Sequence, residues 1–441
     1  MKSASATVSA AAVQKAVACA VEPGNPQCPG VAGHTEEALN ILKSRAARGA
    51  GMDTGELCCF EVTEDDMPDY RVIGVMSGSS LDGLDIIYVT FQVNGETWKY
   101  KIEHTNCQPY GKYWANKLQH AARSMSALEY QLFHTEYGRY LGDCVNIFIR
   151  DNQLQGKVDL VACHGHTVFH QPAQLTTAQV GDGAAVAAVT GLPTVSDFRS
   201  VDISLEGQGS PFSLAAERKL FGSEYQYFLN IGGMACLTYV GKCNHDSFAV
   251  DVCPANQLLN LLAEHEGQTF DNEGKIAAAG TVNSRLLKDL DGFTYYMKPL
   301  PKSLGVDFGP EILYPLICAR DLSTPDAMRT YMAHICNQVV ATVRAVKQKV
   351  STDYPGHCKM LVTGGGARNK LLVDELTKML KDEDITVTVP TDELVKFKEA
   401  LMTAVLGMLR VREEVTFFSK VSGAQRDSVG GALWCGAVTQ A

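Results

Sequence analysis

The sequence predicts an α/β protein with two lobes that face each other across a cleft. Strand patterns alternate with helical patterns along most of the chain, which is typical of α/β layers. A strand, a glycine turn and a second strand occur at residues 70–91 and again, about 150 residues later, at residues 225–240. The chain of 441 residues is also too long for one ordinary core, so two related lobes account for it best.

Composition limits the classes of partner. Hydrophobic residues make up 46% of the chain and charged residues 20%, as in ordinary globular proteins. The formal net charge of −10 provides no basic field for nucleic acid or an anionic membrane, so a small molecule is the expected partner. The 14 cysteines include no C-x-x-C unit, which favours a reducing compartment. No run of about 18 uncharged apolar residues occurs, so we expect a cytoplasmic protein with no membrane partner.

The expected domain organisation has three parts. Residues 1–68 are rich in proline, glycine and small side chains and end in an acidic run, so they predict a flexible N-terminal extension. Residues 69–205 together with 400–441 are expected to form lobe I, and residues 206–399 lobe II. Apolar residues at helical spacing over 397–411 predict a helix that crosses back toward the first lobe.

Four further elements complete the α/β pattern. Short apolar runs predict buried strands at residues 158–163 and 359–363. The alanine-rich residues 183–190 predict a short helix whose small side chains permit close packing, and residues 369–380 predict an amphipathic helix.

The first glycine turn suits phosphate binding. Residues 75–85 read V-M-S-G-S-S-L-D-G-L-D, and consecutive backbone N–H groups with serine hydroxyls form a concavity that holds anions. A tight β-hairpin with Ser and Asp as turn formers is the alternative. The similar turn N-I-G-G at residues 230–233 strengthens the phosphate interpretation, because two such turns can face one triphosphate from opposite lobes.

A third glycine cluster, V-T-G-G-G-A-R-N-K at residues 362–370, follows a strand and opens a helix, where backbone can lie flat against a nucleotide. A glycine-rich helix start is the alternative. Lys370 is not preceded by glycine and no Ser or Thr follows it, so this is not a Walker A loop. These segments contain no G-x-G-x-x-G fingerprint either, which excludes a dinucleotide-binding fold of that type at these turns.

Two phosphate hairpins with a distal glycine motif resemble the superfamily of actin, the heat-shock ATPases and the sugar kinases. The resemblance implies a two-lobed actin-like ATPase (sugar kinase) fold with the nucleotide in the interlobe cleft. From about residue 70 to the C-terminus, the chain closely resembles the anhydro-N-acetylmuramic acid kinases. The motifs that carry this resemblance, besides the three glycine turns, are H-G-H-T-V-F-H at 164–170, Q-V-G-D-G-A-A at 179–185, T-G-L-P-T-V-S-D-F-R at 190–199, G-Q-G-S-P at 207–211 and K-E-A-L from Lys398.

The resemblance implies an ATP-dependent kinase. Such enzymes, which serve peptidoglycan recycling, hydrolyse the 1,6-anhydro bridge of 1,6-anhydro-N-acetylmuramic acid and phosphorylate O6, which yields N-acetylmuramate 6-phosphate and ADP. Asp182 is implied as the general base that takes a proton from the attacking water. Without the resemblance, Asp182 is equally an N-cap for the helix predicted at residues 183–190, and both roles can hold together.

The resemblance also implies the nucleotide site. Gly232 and Gly233 are expected to form the second turn, and Mg²⁺ is expected to bridge the phosphates, with Asp82 and Asp251 as candidates to orient its waters. The residues expected at the ATP phosphates are Gly78, Ser79, Ser80, Leu81, Asp82, Gly83, Leu84 and Asp85. Those expected near adenosine are Gly364, Gly365 and Gly366.

Arg199 and His164 are the predicted sugar-binding residues. A guanidinium fork suits hydroxyl and carboxylate oxygens, although an ion pair within the D-F-R turn is the alternative for Arg199. Neighbouring Cys163, His166 and His170 do not predict a transition metal, because alternate residues of a strand point in opposite directions and no second ligand cluster is evident. His164 is therefore expected to contact the sugar or hold the hinge between the lobes.

Two segments depart from the family pattern. D-T-G-P-G-N is D-V-C-P-A-N at residues 251–256, where the side chains of Cys253 and Ala255 are expected to crowd a turn. S-T-G-R-E is S-L-G-V-D at residues 303–307. A conventional hexose or aminosugar kinase and a non-catalytic sugar or nucleotide sensor therefore stay open as alternatives. A homodimer is also left open.

Overall fold

The computed structural model describes residues 69–436, apart from residues 79, 80, 82, 96, 211, 243–245, 301, 306 and 351–353. The extension expected over residues 1–68 lies outside the described residues. The strands are β1 (Asp69–Ser77), β2 (Gly83–Asn94), β3 (Thr97–Pro109), β4 (Leu160–Cys163), β5 (His166–Gln171), β6 (Thr176–Val180), β7 (Thr194–Ser196), β8 (Tyr227–Ile231), β9 (Met234–Tyr239), β10 (Phe248–Pro254), β11 (Cys358–Thr363), β12 (Ile385–Thr388) and β13 (Ala432–Trp434).

Among the described residues, no helix combines the length and apolar composition that a membrane span requires. The helices are distributed between these strands along the chain. They are α1 (Lys112–Ser124), α2 (Ala127–Asp151), α3 (Gly183–Thr190), α4 (Ser200–Ser204), α5 (Leu214–Phe221), α6 (Asn256–Ala263), α7 (Lys275–Ala278), α8 (Ser284–Asp291), α9 (Tyr314–Cys318), α10 (Thr324–Lys349), α11 (Lys370–Lys381), α12 (Asp392–Val411) and α13 (Ser419–Ser422), with a π-helical turn at Gly309–Leu313 and 3₁₀ turns at Pro172–Gln174, Glu264–Glu266, Asn272–Gly274 and Gly365–Arg368.

Two sheets repeat one strand order. The first runs β13-β7-β4-β1-β2-β3 and the second β10-β9-β8-β11-β12, while β5 and β6 pair separately. In the first sheet β1 is antiparallel to β2 and parallel to β4, and in the second β8 is antiparallel to β9 and parallel to β11. Each sheet thus places a hairpin beside a parallel strand, which confirms the predicted α/β fold built twice on related hairpins.

Local sequence explains where the predicted helices begin. The helix predicted at residues 183–190 has those bounds, and the Asp182 side chain caps it by accepting from the Ala184 N–H. The helix predicted at residues 369–380 begins one residue later, because the Asn369 side chain accepts from the Leu372 N–H and so occupies the N-cap.

Helix α12 packs closely on the first sheet. It contacts β1, β2 and β4 there and also reaches β11 of the second sheet, so the predicted return of this segment to the first sheet is confirmed. A Cβ added at Gly74 of β1 would lie 2.2 Å from the Ala400 carbonyl oxygen, and one at Gly407 would lie 2.6 Å from the Ala162 Cβ. The lobe boundary expected between residues 399 and 400 falls inside this helix.

We predict that Gly74→Ala lowers the free energy of unfolding by about 1–3 kcal/mol, because the new methyl group meets backbone that cannot move without displacing α12. Urea denaturation measures this change. Gly111→Ala is the control, since nothing lies within 4 Å of an added Cβ there. Equal stabilities of the two variants would contradict the close packing of α12 on β1 at Gly74.

Candidate active site

The turn between β1 and β2 is described in part. Leu81 has φ of +55° and its N–H donates to the Gly78 carbonyl oxygen at 3.4 Å. A Cβ added at Gly83 would lie 2.7 Å from a β3 carbonyl oxygen, so this position requires glycine. The Leu84 side chain is wholly buried in the core, whereas Asp85 is half-buried. Three predicted phosphate-binding residues, Ser79, Ser80 and Asp82, lie outside the described residues.

The second and third glycine turns are in contact. A Cβ added at Gly364 would lie 2.6 Å from Asn230 Oδ1, and one at Gly366 would lie 2.3 Å from Ile231 Cγ2. The Asn256 N–H, at the start of α6, donates to the Gly232 carbonyl oxygen at 3.0 Å. Two segments about 130 residues apart in the sequence therefore form one glycine-rich surface at the ends of β8 and β11. Gly233 and Gly365 belong to the same two turns.

A cavity of about 220 Å³ opens where the carboxyl ends of β1 and β4 meet β8, β9 and α12. Both sheets contribute to its walls, as expected for a cleft between lobes. Its polar lining includes Ser77, His164, His166, Arg199, Asn230 and Glu399.

Arg199 and His164, the two predicted sugar-binding residues, form one wall of this cavity. The Arg199 Nε–H donates to His164 Nε2 at 3.0 Å, so the His164 Nδ1–H donates to the Gly165 carbonyl oxygen at 3.2 Å. Burial, with the nearby guanidinium, lowers the pKa of His164 to about 3, and burial lowers the pKa of Arg199 to about 10. The imidazole is therefore neutral and the guanidinium charged.

The guanidinium of Arg199 is held on two further sides. Its Nη1 donates to the Gly209 carbonyl oxygen at 2.8 Å, and its Cζ lies 4.6 Å from the centre of the Phe212 ring. An ion pair within the D-F-R turn, the alternative role, is not formed among the described residues. The guanidinium is instead anchored by an imidazole, a carbonyl group and an aromatic ring.

A chain of hydroxyl groups leads to His166, which the sequence did not identify as a site residue. The Tyr110 hydroxyl donates to Ser77 Oγ at 2.7 Å, and Ser77 Oγ lies 3.0 Å from His166 Nδ1. Burial raises the pKa of Tyr110 to about 12 and lowers that of His166 to about 4, so the phenol is protonated and the imidazole neutral. The contact with Ser77 fits either neutral tautomer, because Ser77 Oγ can donate to a bare Nδ1 or accept from an Nδ1–H.

The remaining members of the histidine cluster point elsewhere. Cys163 is buried in the core of the first sheet, and His170 Nδ1 lies 3.0 Å from Thr177 Oγ1. In the part of the chain that is described, no group of three His, Cys, Asp or Glu side chains stands close enough to hold a metal ion.

Asp182 caps α3 and is not among the residues that line this cavity. The Ala184 N–H donates to its Oδ1 at 2.9 Å, so the N-cap role is confirmed. Gly181, with φ of +120°, packs so closely on the strand connection at Gly165 that a Cβ there would lie 3.3 Å from the Gly165 Cα. Gly181, the residue before Asp182, therefore packs against the connection between His164 and His166. The Asp182 side chain itself is half-buried.

Helix α12 brings two polar pairs to the second sheet. Lys398 Nζ lies 2.5 Å from Glu217 Oε1, with both side chains at most 5% exposed, and Glu217 Oε2 has no hydrogen-bond partner among the described residues. Next to this pair, the Asn230 amide donates to Glu399 Oε1 at 2.9 Å. The K-E-A-L motif identified Lys398 and Glu399 as family residues. Their partners, Glu217 and Asn230, lie about 170 to 180 residues earlier in the sequence, and no local pattern indicates them.

The segment at residues 251–256, which departs from the family pattern, packs against the second glycine turn. Cys253 and Ala255 are fully buried in the core of the second sheet, and the Ala255 N–H donates to the Gly233 carbonyl oxygen at 2.7 Å. Asp251 accepts from the Cys236 thiol at 3.2 Å and from the Leu304 N–H at 3.1 Å, while burial raises its pKa. The expected crowding of the turn by these side chains stays a prediction.

We predict that Lys398→Met destabilises the fold by about 3–5 kcal/mol, because Glu217 is left buried without its cation. The double variant Glu217→Gln with Lys398→Met should recover most of this loss, since no charge is then left unpaired. Urea denaturation of the wild type, both single variants and the double variant gives the coupling energy. A single-variant loss below about 1 kcal/mol would show that the pair behaves like an exposed one.

We also predict that neutral His164 makes stability depend on pH. Its folded pKa of about 3 lies below the ordinary 6.5 of an unfolded histidine, so between these values the unfolded chain binds one more proton. The contribution of His164 to unfolding free energy therefore falls as pH falls below about 6.5, by about 1.4 kcal/mol per pH unit.

The variant His164→Gln tests this dependence, because its Oε1 can replace Nε2 as the acceptor for Arg199 without titrating. The slope of unfolding free energy against pH, measured by denaturation between about pH 5 and 6, should decrease by about 1.4 kcal/mol per unit. An unchanged slope in His164→Gln would contradict a buried neutral histidine.

Comparisons with known proteins agree with the resemblance read from the motifs. A family model described as anhydro-N-acetylmuramic acid kinase matches residues 70–436. An anhydro-N-acetylmuramic acid kinase of Hydrogenovibrio crunogenus is 31% identical over 384 residues, which cover 83% of this chain and 98% of that protein. One of Methylobacterium nodulans is 32% identical over 348 residues, which cover 74% and 88%.

Solved structures are more distant. The hexokinase from Schistosoma mansoni complexed with glucose is 11% identical, and the match covers 76% of this chain and 85% of that one with a TM-score of 0.38. The family assignment therefore depends on the sequence matches, which extend over most of the described residues. On that basis the chain belongs to the anhydro-N-acetylmuramic acid kinase family.

Proposed function

We propose that this chain uses ATP and water to convert 1,6-anhydro-N-acetylmuramic acid into N-acetylmuramate 6-phosphate and ADP. The observation that carries the proposal is the family match over residues 70–436, which includes all three glycine turns and both Asp182 and Arg199. Phosphotransfer to a sugar, as part of peptidoglycan recycling, is the activity that this family membership implies.

The proposed reaction couples two substitutions, one at the anomeric carbon and one at the γ-phosphorus. A water molecule attacks the anomeric carbon, the bond from that carbon to O6 breaks, and O6 attacks the γ-phosphorus as the bond to the β-phosphate oxygen breaks. Asp182 takes one proton from the water, and the other stays on the new anomeric hydroxyl. The cap hydrogen bond engages Asp182 Oδ1, so Oδ2 is the oxygen we assign to the water.

Arg199 and His166 are proposed to bind the sugar. The two contacts that anchor Arg199 use its Nε–H and one Nη1–H, so its other N–H groups are assigned to sugar oxygens or to the lactyl carboxylate. Neutral His166 lines the same cavity and is assigned to a second hydrogen bond with the sugar. Both ring nitrogens of His164 are engaged by Arg199 and Gly165, so His164 is assigned to holding Arg199 in place.

The glycine turns are proposed to bind ATP. We assign the phosphates to the β1–β2 turn, residues 78–85, and to Gly232 with Gly233. The surface formed by Gly364, Gly365 and Gly366 is assigned to adenosine, where the absence of side chains lets a flat ring lie on backbone. Contact between the second and third turns supports a single continuous nucleotide site.

We infer that Mg²⁺ accompanies the nucleotide. Each oxygen of the Asp251 carboxylate already accepts one hydrogen bond, so Asp251 suits contact through a water better than direct ligation. Asp82, the other candidate, lies outside the described residues. A bound Mg²⁺ would supply charge neutralisation for the transferred phosphoryl group.

A cytoplasmic location and a homodimer complete the proposal. The 14 cysteines include no C-x-x-C unit, which supports a reducing compartment. Leu128 and Leu132, one turn apart on α2, are 69% and 61% exposed, and such an apolar pair supports association of two copies.

We predict that Asp182→Asn lowers kcat by about 10²–10⁴-fold while leaving thermal stability nearly unchanged, because asparagine caps a helix as well as aspartate does but cannot take the proton. The wild type and the variant are incubated with ATP, Mg²⁺ and 1,6-anhydro-N-acetylmuramic acid in ¹⁸O water, and the product is analysed by mass spectrometry. The wild type should form a sugar 6-phosphate that carries one ¹⁸O.

The control is Asp143→Asn, which removes an exposed carboxylate from α2 and should retain activity. Phosphorylation of ordinary hexoses or aminosugars without ¹⁸O uptake would support a conventional kinase instead. Ligand-induced thermal stabilisation with no product after long incubation would support a sensor. Full activity of a folded Asp182→Asn variant would rule out Asp182 as the base.

A further inference from the structure

His134 on α2 contacts the backbone that carries Asp182. The Gly181 N–H donates to His134 Nδ1 at 3.2 Å, and the Asp182 N–H donates to the His134 carbonyl oxygen at 3.1 Å. Two successive N–H groups are therefore held by one residue, through its ring and its main chain.

One turn along the same helix, Gly138 keeps α2 close to this peptide. A Cβ added at Gly138 would lie 2.6 Å from the Asp182 carbonyl oxygen and 2.8 Å from its nitrogen. Gly181 has φ of +120°, a backbone conformation that few residues adopt. The Gly181–Asp182 peptide therefore depends on contacts with neighbouring elements to keep this conformation. Helix α2 supplies those contacts.

We propose that His134 is a positioning residue for Asp182: its ring, as a hydrogen-bond acceptor, orients the Gly181–Asp182 peptide and so directs the carboxylate. This proposal rests on the proposed function, in which Asp182 is the general base. A shift of the peptide would misdirect the carboxylate, and small errors in the placement of a catalytic group cost about 10²-fold in rate.

The contact requires one protonation state of His134. Because Nδ1 accepts, the neutral ring carries its proton on Nε2. Protonation would place a second N–H against that of Gly181 and break the contact. Burial lowers the pKa of His134 despite the carboxylates of Asp182 and Asp197, and Tyr130 stacks on the ring at 6.4 Å between ring centres. The ring is thus held as an acceptor at neutral pH.

Three variants separate positioning from packing. His134→Leu fills a similar volume without an acceptor, His134→Asn places Oδ1 at the position of Nδ1 without titrating, and His120→Asn changes an exposed histidine of α1 as a control. For each we measure kcat, both KM values and the pH profile, with thermal stability to verify folding.

We expect His134→Leu to lower kcat by about tenfold or more with KM for ATP unchanged within about twofold. His134→Asn should retain kcat within about threefold of the wild type and extend activity to lower pH, because its acceptor does not protonate. Wild-type kcat in a folded His134→Leu variant would overturn the proposal, as would a folded His134→Asn variant as impaired as the leucine variant. If the leucine variant does not fold, the kcat and pH profile of the asparagine variant decide whether the positioning proposal holds.

A measurement without substrate distinguishes this proposal from the proposed function. In full-length protein labelled with ¹⁵N at histidine, NMR should show the His134 ring as the Nε2–H tautomer with a pKa below the ordinary range, and the His134→Asn spectrum identifies the signal. A Nδ1–H tautomer at neutral pH overturns the positioning proposal whatever the activity. Failure of the wild type to make any sugar phosphate, with the expected tautomer present, counts against the proposed function alone.

Discussion

The close packing of α12 on the first sheet is the constraint on which the candidate site depends. Gly74 and Gly407 allow the helix to approach the strands almost to backbone contact. At this distance Lys398 and Glu399 reach partners on α5 and β8, so one helix joins the first sheet to the polar groups of the second. A larger residue in the contact would move the helix and with it one wall of the cavity.

Burial determines the charge of the groups that line the cavity. Histidine loses its proton when it is removed from water, so His164 and His166 are neutral, and the contact with Arg199 makes Nε2 of His164 an acceptor. Arg199 stays charged despite burial, because the guanidinium holds its proton strongly. On this wall a ligand therefore meets the Arg199 cation, whose orientation is set by the neutral imidazole behind it.

Asp182 combines a structural and a proposed chemical role at one position. Its cap hydrogen bond fixes one carboxylate oxygen at the start of α3, and α2 holds the preceding peptide from the other side. The requirements of the helix and of the proposed reaction are compatible because they use different oxygens of one carboxylate. A base placed this way depends on rigid elements rather than on a mobile loop.

Periodicity, glycine turns and ordered motifs are local signals, so the amino-acid sequence alone predicts the repeated strand–turn–strand units, the α/β class, the cap at Asp182 and the family. Which side chains meet depends on the fold. The Glu217–Lys398 pair joins residues 181 apart, and the contacts of His166 with Ser77 and of Gly181 with His134 span 89 and 47 residues. Such partners are chosen by the packing of whole helices on sheets, which no short stretch of sequence encodes.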